Sequence, residues 1–235
     1  MSISQAVANE ASNPAVTMQF KKTVFAEDPL SLVGALITKA RTIWMRQTYP
    51  FAGFGYGVSI NYSCDIRRPA ANRIQIGDCV YIASGTWLNI PEHGIDAPPA
   101  IILKDGCKIG RRCMISAKNR VCLENDVMLG PSVLITDHSH EFANPDLPIH
   151  AQGLTGGGTV VIEKNCWLGH GAAVICTSGD LSVGRNSIIG TNSVVTRSVP
   201  PYSVVIGNPA KVIRRYDPES REWIKVDSRD GTGVK

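Results

Sequence analysis

Large rings are scarce in this chain. Phe, Trp and Tyr make up 6% of its 235 residues, which disfavours a core built around aromatic clusters. No stretch approaches the ~20 apolar residues of a membrane span, and the most apolar one, PLSLVGALITKARTIWMRQ, is broken by Lys39 and Arg41. Excess charge is also lacking. The formal net charge is +4, and no basic run carries interleaved aromatics, so nucleic acid is not an expected partner. The seven cysteines include no CxxC pair, and no secretory leader precedes them. Reduced thiols in a cytoplasmic protein are therefore expected rather than a disulfide framework.

Short aliphatics and the 22 glycines are plentiful instead. The aliphatics recur every six positions in short ladders: Ile76, Ile82, Leu88; Leu103, Ile109, Ile115; Leu123, Leu129, Ile135; Ile162, Leu168, Val174; Val183, Ile189, Val195. A small or acidic residue often follows at once, as at Gly110, Gly130 and Gly169. Four positions after the aliphatic comes another small slot, held by Cys64, Cys107, Cys113, Cys166, Ala172, Ser178, Ser187 and Ser193. Four of the seven cysteines are thereby read as small buried side chains. A period of six fits neither an α-helix at 3.6 nor a β-sandwich strand at 2. It fits short flat strands joined by tight corners, three to a coil, with the aliphatic pointing into a prism.

This pattern, together with WLGHGAAVI, ITDHSH and VGRNSIIGTNSVVTRSVPPYSVVIGNPAKVIRR, resembles the hexapeptide-repeat acyltransferases over roughly residues 58–215. Within that family it is most similar to the sugar O-acetyltransferases: the maltose, galactoside and nodulation enzymes and those that decorate surface polysaccharides. The resemblance implies an all-β fold, a left-handed parallel β-helix, whose handedness spacing alone does not supply. It also implies a homotrimer with sites between neighbouring prisms.

The expected organisation is a mobile segment and an amphipathic helix in 1–57, the β-helix in 58–215 and a tail in 216–235 ending in a short helix, DPESREWIKV. Residues 29–47 are read as the N-terminal helix, with Leu32, Leu36, Ile43 and Trp44 on or near one face, packing on the prism or capping its first coil. Peripheral membrane contact through that helix is the sharper alternative. Two segments leave the six-residue phase, PEHGIDAPP and 137–158, and such excursions are where function usually resides.

ITDHSHEF, residues 135–142, holds two of only five histidines. By the resemblance His138 is the catalytic base. Imidazole suits the task, because an acceptor hydroxyl must lose its proton as it attacks a thioester. Asp137 and Glu141 are candidates for orienting it, and Asp137 and His140 for binding acceptor. The resemblance makes acetyl-CoA the co-substrate, with no metal and no acyl-enzyme. It assigns Trp167, Gly169, His170, Thr191, Thr196, Arg197, Lys211 and Arg214 to the CoA groove, with the oxyanion donor at Gly169 or His170. The family's sugar-binding asparagine falls on Gly110, so Asn119 and Arg111 are substitute candidates and the acceptor is expected to differ from maltose. Three other functions compete: N-acetylation of an amino or nucleotide sugar or of serine, a zinc site of the γ-class carbonic anhydrase kind using His138, His140, His150 and His170, and a non-catalytic scaffold.

Overall fold

Ile60, Ile82, Ile109, Leu129, Leu168, Ile189 and Val205 stand one above another in continuous parallel register. A computed structural model describes residues 29–91 and 97–226. In it the six-residue ladders become columns on the three faces of a left-handed parallel β-helix. The first face runs from Gly53–Phe54 to Ser178–Val183, and the second from Ser59–Ile60 through Ser203–Gly207. The third runs from Asp65–Ile66 to Val194–Val195. Each column residue is almost fully buried, and each such aliphatic contributes about 1.5–3 kcal/mol by leaving water.

The corners explain the other positions of the repeat. The turns take left-handed backbone at Cys79, Asp126 and Asn165, and at Gly171 with φ +67°, a conformation that glycine and asparagine tolerate best. Gly110 is required for a different reason. A Cβ there would lie 2.6 Å from the carbonyl carbon and oxygen of Gly130 in the next coil.

The small slot does more than save space. Cys64, Cys107, Cys113 and Cys166 donate their thiols to the carbonyls of Ala83, Glu124, Gly130 and Gly184, at 3.1, 3.1, 3.2 and 3.2 Å. Each ties its coil to the one above. Burial pushes the Cys107 thiol up to about 12 and that of Cys166 to about 11, so both remain donors at neutral pH. Ser178 departs from the expected slot: it is exposed and opens the strand Ser178–Val183.

The N-terminal helix, α1, spans Pro29–Thr48 and caps the first coil, but with the opposite face from the one expected. Leu32, Leu36, Ile43 and Trp44 are 44–67% exposed, whereas Thr42 and Met45 are buried. The reason lies in the coil's open edge, whose backbone groups lack a strand partner. The Thr42 hydroxyl accepts from the Ile60 N–H at 3.1 Å and lies 3.1 Å from the Ile60 carbonyl, and Arg41 donates to the Cys64 carbonyl at 2.9 Å. That edge demands polar groups beside the buried Met45, so the apolar stripe of Leu32, Leu36, Ile43 and Trp44 turns outward.

The expected C-terminal helix is a β-hairpin instead. Ala210–Asp217 pairs antiparallel with Ser203–Gly207, and Glu222–Lys225 pairs with Ala210–Asp217. Ser203–Gly207 would otherwise present an open sheet edge, and the hairpin covers it. The turn is closed by Asp217, whose carboxylate accepts from the backbone N–H groups of Glu219 and Ser220 at 3.2 and 3.3 Å. The sheet structure therefore runs from Gly53 to Lys225, wider than the expected 58–215. Residues 1–28, and most of PEHGIDAPP, lie outside the described residues.

The larger departures from regular winding in the third-to-first connection are at one edge of the prism. There the 3-10 turn Arg68–Arg73 follows the first coil and residues 137–156 follow the fourth. His138 stands on that edge.

Candidate active site

Leu134–Thr136 ends the third face of the fourth coil, and Asp137 and His138 follow at once. Asp137 is fully buried, yet its carboxylate is completely partnered. One oxygen accepts from the backbone N–H of Lys118 at 2.8 Å and lies 2.7 Å from His138 Nδ1. The other accepts from the backbone N–H groups of Asn119 and Arg120, at 2.8 and 2.7 Å. Burial alone would push this carboxyl up, but the hydrogen bonds from His138 and from the three amides outweigh it and hold it below its ordinary value of 3.8.

With Asp137 ionised, Nδ1 is the His138 nitrogen that carries a proton toward the carboxylate, which sets the ring's tautomer whenever it acts as a base. That leaves the Nε2 lone pair free to accept a proton. Among the expected orienting groups only Asp137 does this. It is spent on the imidazole and the 118–120 backbone, which removes it from the acceptor-binding candidates.

Because the Asp137 pKa is depressed in the fold, its stabilisation is present above its unfolded value near ~4 and is lost as pH falls through the folded value. Asp137→Asn would keep the shape but set an amide N–H against a donor, costing about 1–3 kcal/mol at neutral pH. We expect its stability, followed by urea unfolding, to change less between pH 5 and pH 3 than that of wild type. An unchanged pH slope would show that the Asp137 contacts do not persist in solution.

Above this pair the 137–156 excursion is closed at its base. Thr155 donates its N–H to the Ser139 carbonyl at 2.8 Å and accepts the Ser139 N–H on its hydroxyl at 3.0 Å. Lys118 Nζ donates to the Thr155 carbonyl at 2.9 Å, and Asn119 Nδ2 to that of Gly156 at 3.0 Å. Asn119 is thus occupied in anchoring the loop. His140 sits exposed on the loop's first rung, bridged to Leu154. Farther out, Phe142, Leu147 and Ile149 are 49–73% exposed, an apolar loop surface.

The other expected residues lie elsewhere. Gly169, His170 and Thr191 stand at the second-to-third edge, one and two coils above His138. The Gly169 N–H is committed to the Ile189 carbonyl at 2.7 Å, whereas among the described residues that of His170 has no acceptor. Of the two candidates for an oxyanion donor, His170 is therefore the one whose N–H is available. Thr196 and Arg197 are exposed at His138's own edge, two coils higher. Arg111 is at the second-to-third edge, lining a groove of about 850 Å³ with Lys39, Tyr62 and Tyr81 under α1. Trp167 points outward from the second face, 46% exposed.

Lys211 and Arg214 are three apart on one strand, which in regular alternation would send them to opposite sides. The register slips between Val204 and Val205, so that Ile206 faces Lys211, Val205 faces Val212 and Val204 faces Arg214. Ile213 is the extra residue of a bulge, and the bulge returns both cations to the outer side. Among the described residues no group of three His, Cys, Asp or Glu is placed to hold a metal ion.

In repeat and fold the chain resembles the hexapeptide-repeat acyltransferases, and its relatives by sequence are acetyltransferases by name. One, named as a lipopolysaccharide biosynthesis O-acetyltransferase (WbbJ) of Escherichia coli, is 29% identical over 71% of this chain and 83% of its own length. The galactoside O-acetyltransferase of Lactococcus lactis is 38% identical, over 40% of this chain and 42% of its own. An N-acyltransferase of Bacillus cereus, AntD, solved with dTDP and 3-hydroxybutyryl-CoA, superposes with a TM-score of 0.59 over 77% of this chain and 90% of its own. At 16% identity that likeness speaks for the fold. No protein-family model matches the chain.

Proposed function

We propose that the protein transfers an acetyl group from acetyl-CoA to a hydroxyl of a sugar or glycoconjugate. The observation that carries this is the Asp137–His138 pair, with a 2.7 Å contact, at the foot of the closed loop. The acceptor hydroxyl gives its proton to His138 Nε2 as its oxygen bonds to the acetyl carbonyl carbon. The resulting oxyanion is met by the His170 N–H. The C–S bond then breaks, and the CoA thiolate takes the proton from the imidazolium, so no acyl-enzyme is needed. The lipopolysaccharide and galactoside relatives support a glycan acceptor. Assaying CoA release against sugars, amino sugars, nucleotide sugars and lipid-linked glycans tests the reading. Release with amino acceptors alone would replace O- by N-acetylation, and none with any acceptor would end it.

His138 and the His170–Thr191 column occupy different edges of one prism, which supports a site shared between chains. A cyclic homotrimer of roughly 75 kDa, three times the 25.3 kDa chain, brings the edges together. The exposed Phe142, Leu147 and Ile149 then lie against the neighbour.

Lys211 and Arg214 are assigned to the CoA phosphates. Replacing both by Ala should weaken CoA binding by about 1–3 kcal/mol per contact, less where solvent screens it. The defect should shrink with dephospho-CoA, and equal losses for both ligands would remove the 3′-phosphate assignment.

The outward stripe of α1 is assigned to an anionic bilayer surface, the place of a lipid-linked acceptor. Its helix carries Lys39, Arg41 and Arg46 and no acidic residue. The protein should float with phosphatidylglycerol vesicles, and Leu36→Glu should abolish flotation. A protein that never floats, or a Leu36→Glu variant that alters assembly instead, would give the stripe to a neighbouring chain.

A further inference from the structure

Arg111, a candidate for acceptor binding from the sequence, opens onto the groove of about 850 Å³ between α1 and the lower coils of the second face. Gly34, Ala35 and Thr38 line its helix side, with side chains too small to fill the space beneath α1. Tyr62 and Tyr81 stand across from them, 48% and 46% exposed. A larger residue at Gly34 would crowd the groove, since a Cβ there already lies 3.9 Å from the Tyr62 ring. Both charges in the lining are positive. Lys39 comes from α1 and Arg111 from the third coil, and both are exposed. No carboxylate lines the groove, and among the described residues neither cation has an ion-pair partner. An anion resting between them would relieve both.

The height of the groove ties it to the reaction. Two residues past each column aliphatic of the second face, Tyr62, Ser84, Arg111, Pro131, His170 and Thr191 stack along the second-to-third edge. The Ser132 N–H donates to the Arg111 carbonyl at 2.8 Å, and the Gly171 N–H to that of Pro131 at 3.0 Å. Coils are ~4.8 Å apart, so Arg111 stands ~10 Å below His170, with the uncharged Pro131 between them. His138 belongs to the same coil as Pro131. A three-fold axis along the prism keeps every residue at its own height, so a neighbour's His138 faces the gap between Arg111 and His170. The third face joins the two edges and turns Trp87, Met114, Leu134, Ala173 and Val194 outward, an apolar column suited to that axis.

We propose that the groove binds an anionic acceptor glycan, with Lys39 and Arg111 on its acidic group and Tyr62 and Tyr81 against a sugar ring. The occupant is the acceptor of the transfer proposed above, on which this assignment rests. Lys and Arg hold carboxylate or phosphate through charge-assisted hydrogen bonds, and a tyrosine ring offers a flat apolar face with a polar tip. A sugar reaching up from Arg111 brings a hydroxyl to the height of His138, beneath a thioester held at His170. A neutral sugar would leave both cations uncompensated. The acidic group has two sources: the carboxylate of a uronic acid, or the phosphate of a glycosyl phosphate.

Methyl glucuronide, methyl galacturonide, glucose 1-phosphate and galactose 1-phosphate are compared with methyl glucoside and methyl galactoside, using the full-length protein. Calorimetry follows binding, and CoA release from acetyl-CoA follows transfer. At least one anionic sugar should bind, and should exceed its neutral counterpart roughly tenfold or more in kcat/KM. Preference for a uronide assigns the cations to a carboxylate, and preference for a glycosyl phosphate assigns them to a phosphate-linked acceptor. Lys39→Gln and Arg111→Gln should each cut that preference roughly threefold or more, and the double variant should abolish it. Acetyl-CoA affinity, thermal midpoint and sedimentation should stay as in wild type. Neutral sugars acetylated as well as the anionic ones would overturn the proposal and leave the transferase standing. So would a failure of all four anionic sugars to bind, a preference that survives in the double variant, or one lost only through a changed oligomer. Anionic sugars held by Lys39 and Arg111 with no CoA release from any acceptor would keep the anion site and end the transfer reading.

Discussion

His138→Ala should bind acetyl-CoA nearly as well as wild type and lose about 10²–10⁴-fold in turnover, the range of positioned proton transfer. The loss is confined to the chemical step, because the ring leaves without disturbing the groups around it. The Asp137 carboxylate keeps its three backbone donors at 2.7–2.8 Å, so the 118–120 turn and the loop above it remain in place. The His170 N–H and the cations of the hairpin are on other edges and are untouched. His140→Ala should be milder, since its exposed ring has no contact with Asp137. Calorimetry for binding and CoA release for turnover separate the two effects. A variant that keeps more than a tenth of wild-type turnover would mean that another group takes the proton. An activity that disappears on chelation and returns with zinc would move the chemistry to a metal shared between chains.

The prism was legible in the sequence because its rule is local and repeated. Each inward aliphatic needs only its own position in the coil, so a ladder such as Leu123, Leu129, Ile135 predicts burial without knowledge of any neighbour, and all three are buried. The ends of the prism follow another rule. What packs there depends on backbone groups left open by the first and last coils, which no periodicity records. By its sequence the apolar stripe of α1 is the expected inner face, although the open edge at Ile60 calls for Thr42. In the same way DPESREWIKV has a helical composition but lies beside an edge at Ser203–Gly207 that only another strand satisfies. The site divides similarly. His138 is singled out by its motif, but Asp137 and Glu141 are equal candidates for its partner in the sequence, and only the fold brings three amides to one carboxylate. The shared side of Lys211 and Arg214 rests on a single bulge, which spacing cannot reveal.

Two inactive variants should restore each other. His138→Ala removes the base from one edge, and Thr191→Trp fills the exposed position above His170 on another edge, where the acyl donor is proposed to lie. Neither homotrimer should exceed roughly a hundredth of wild-type turnover, one for want of proton transfer and the other for want of a positioned thioester. In trimers assembled from equal amounts of both chains, each site draws one edge from each of two neighbours. In every trimer that contains both chains, one of the three junctions combines an intact His138 with an intact Thr191 edge, so the isolated mixed trimers should return to about a third of wild-type turnover. Co-expression with two affinity tags isolates the mixed trimers, and CoA release measures them. If both edges served one chain's own site, every chain in the mixture would still carry one lesion, and turnover would stay at the level of the parents. That result, or a fully active monomer of 25.3 kDa in sedimentation, would sink the shared site. The geometry favours restoration, because the edge that bears His138 and the edge that bears His170 cannot both face one acyl group on a single prism.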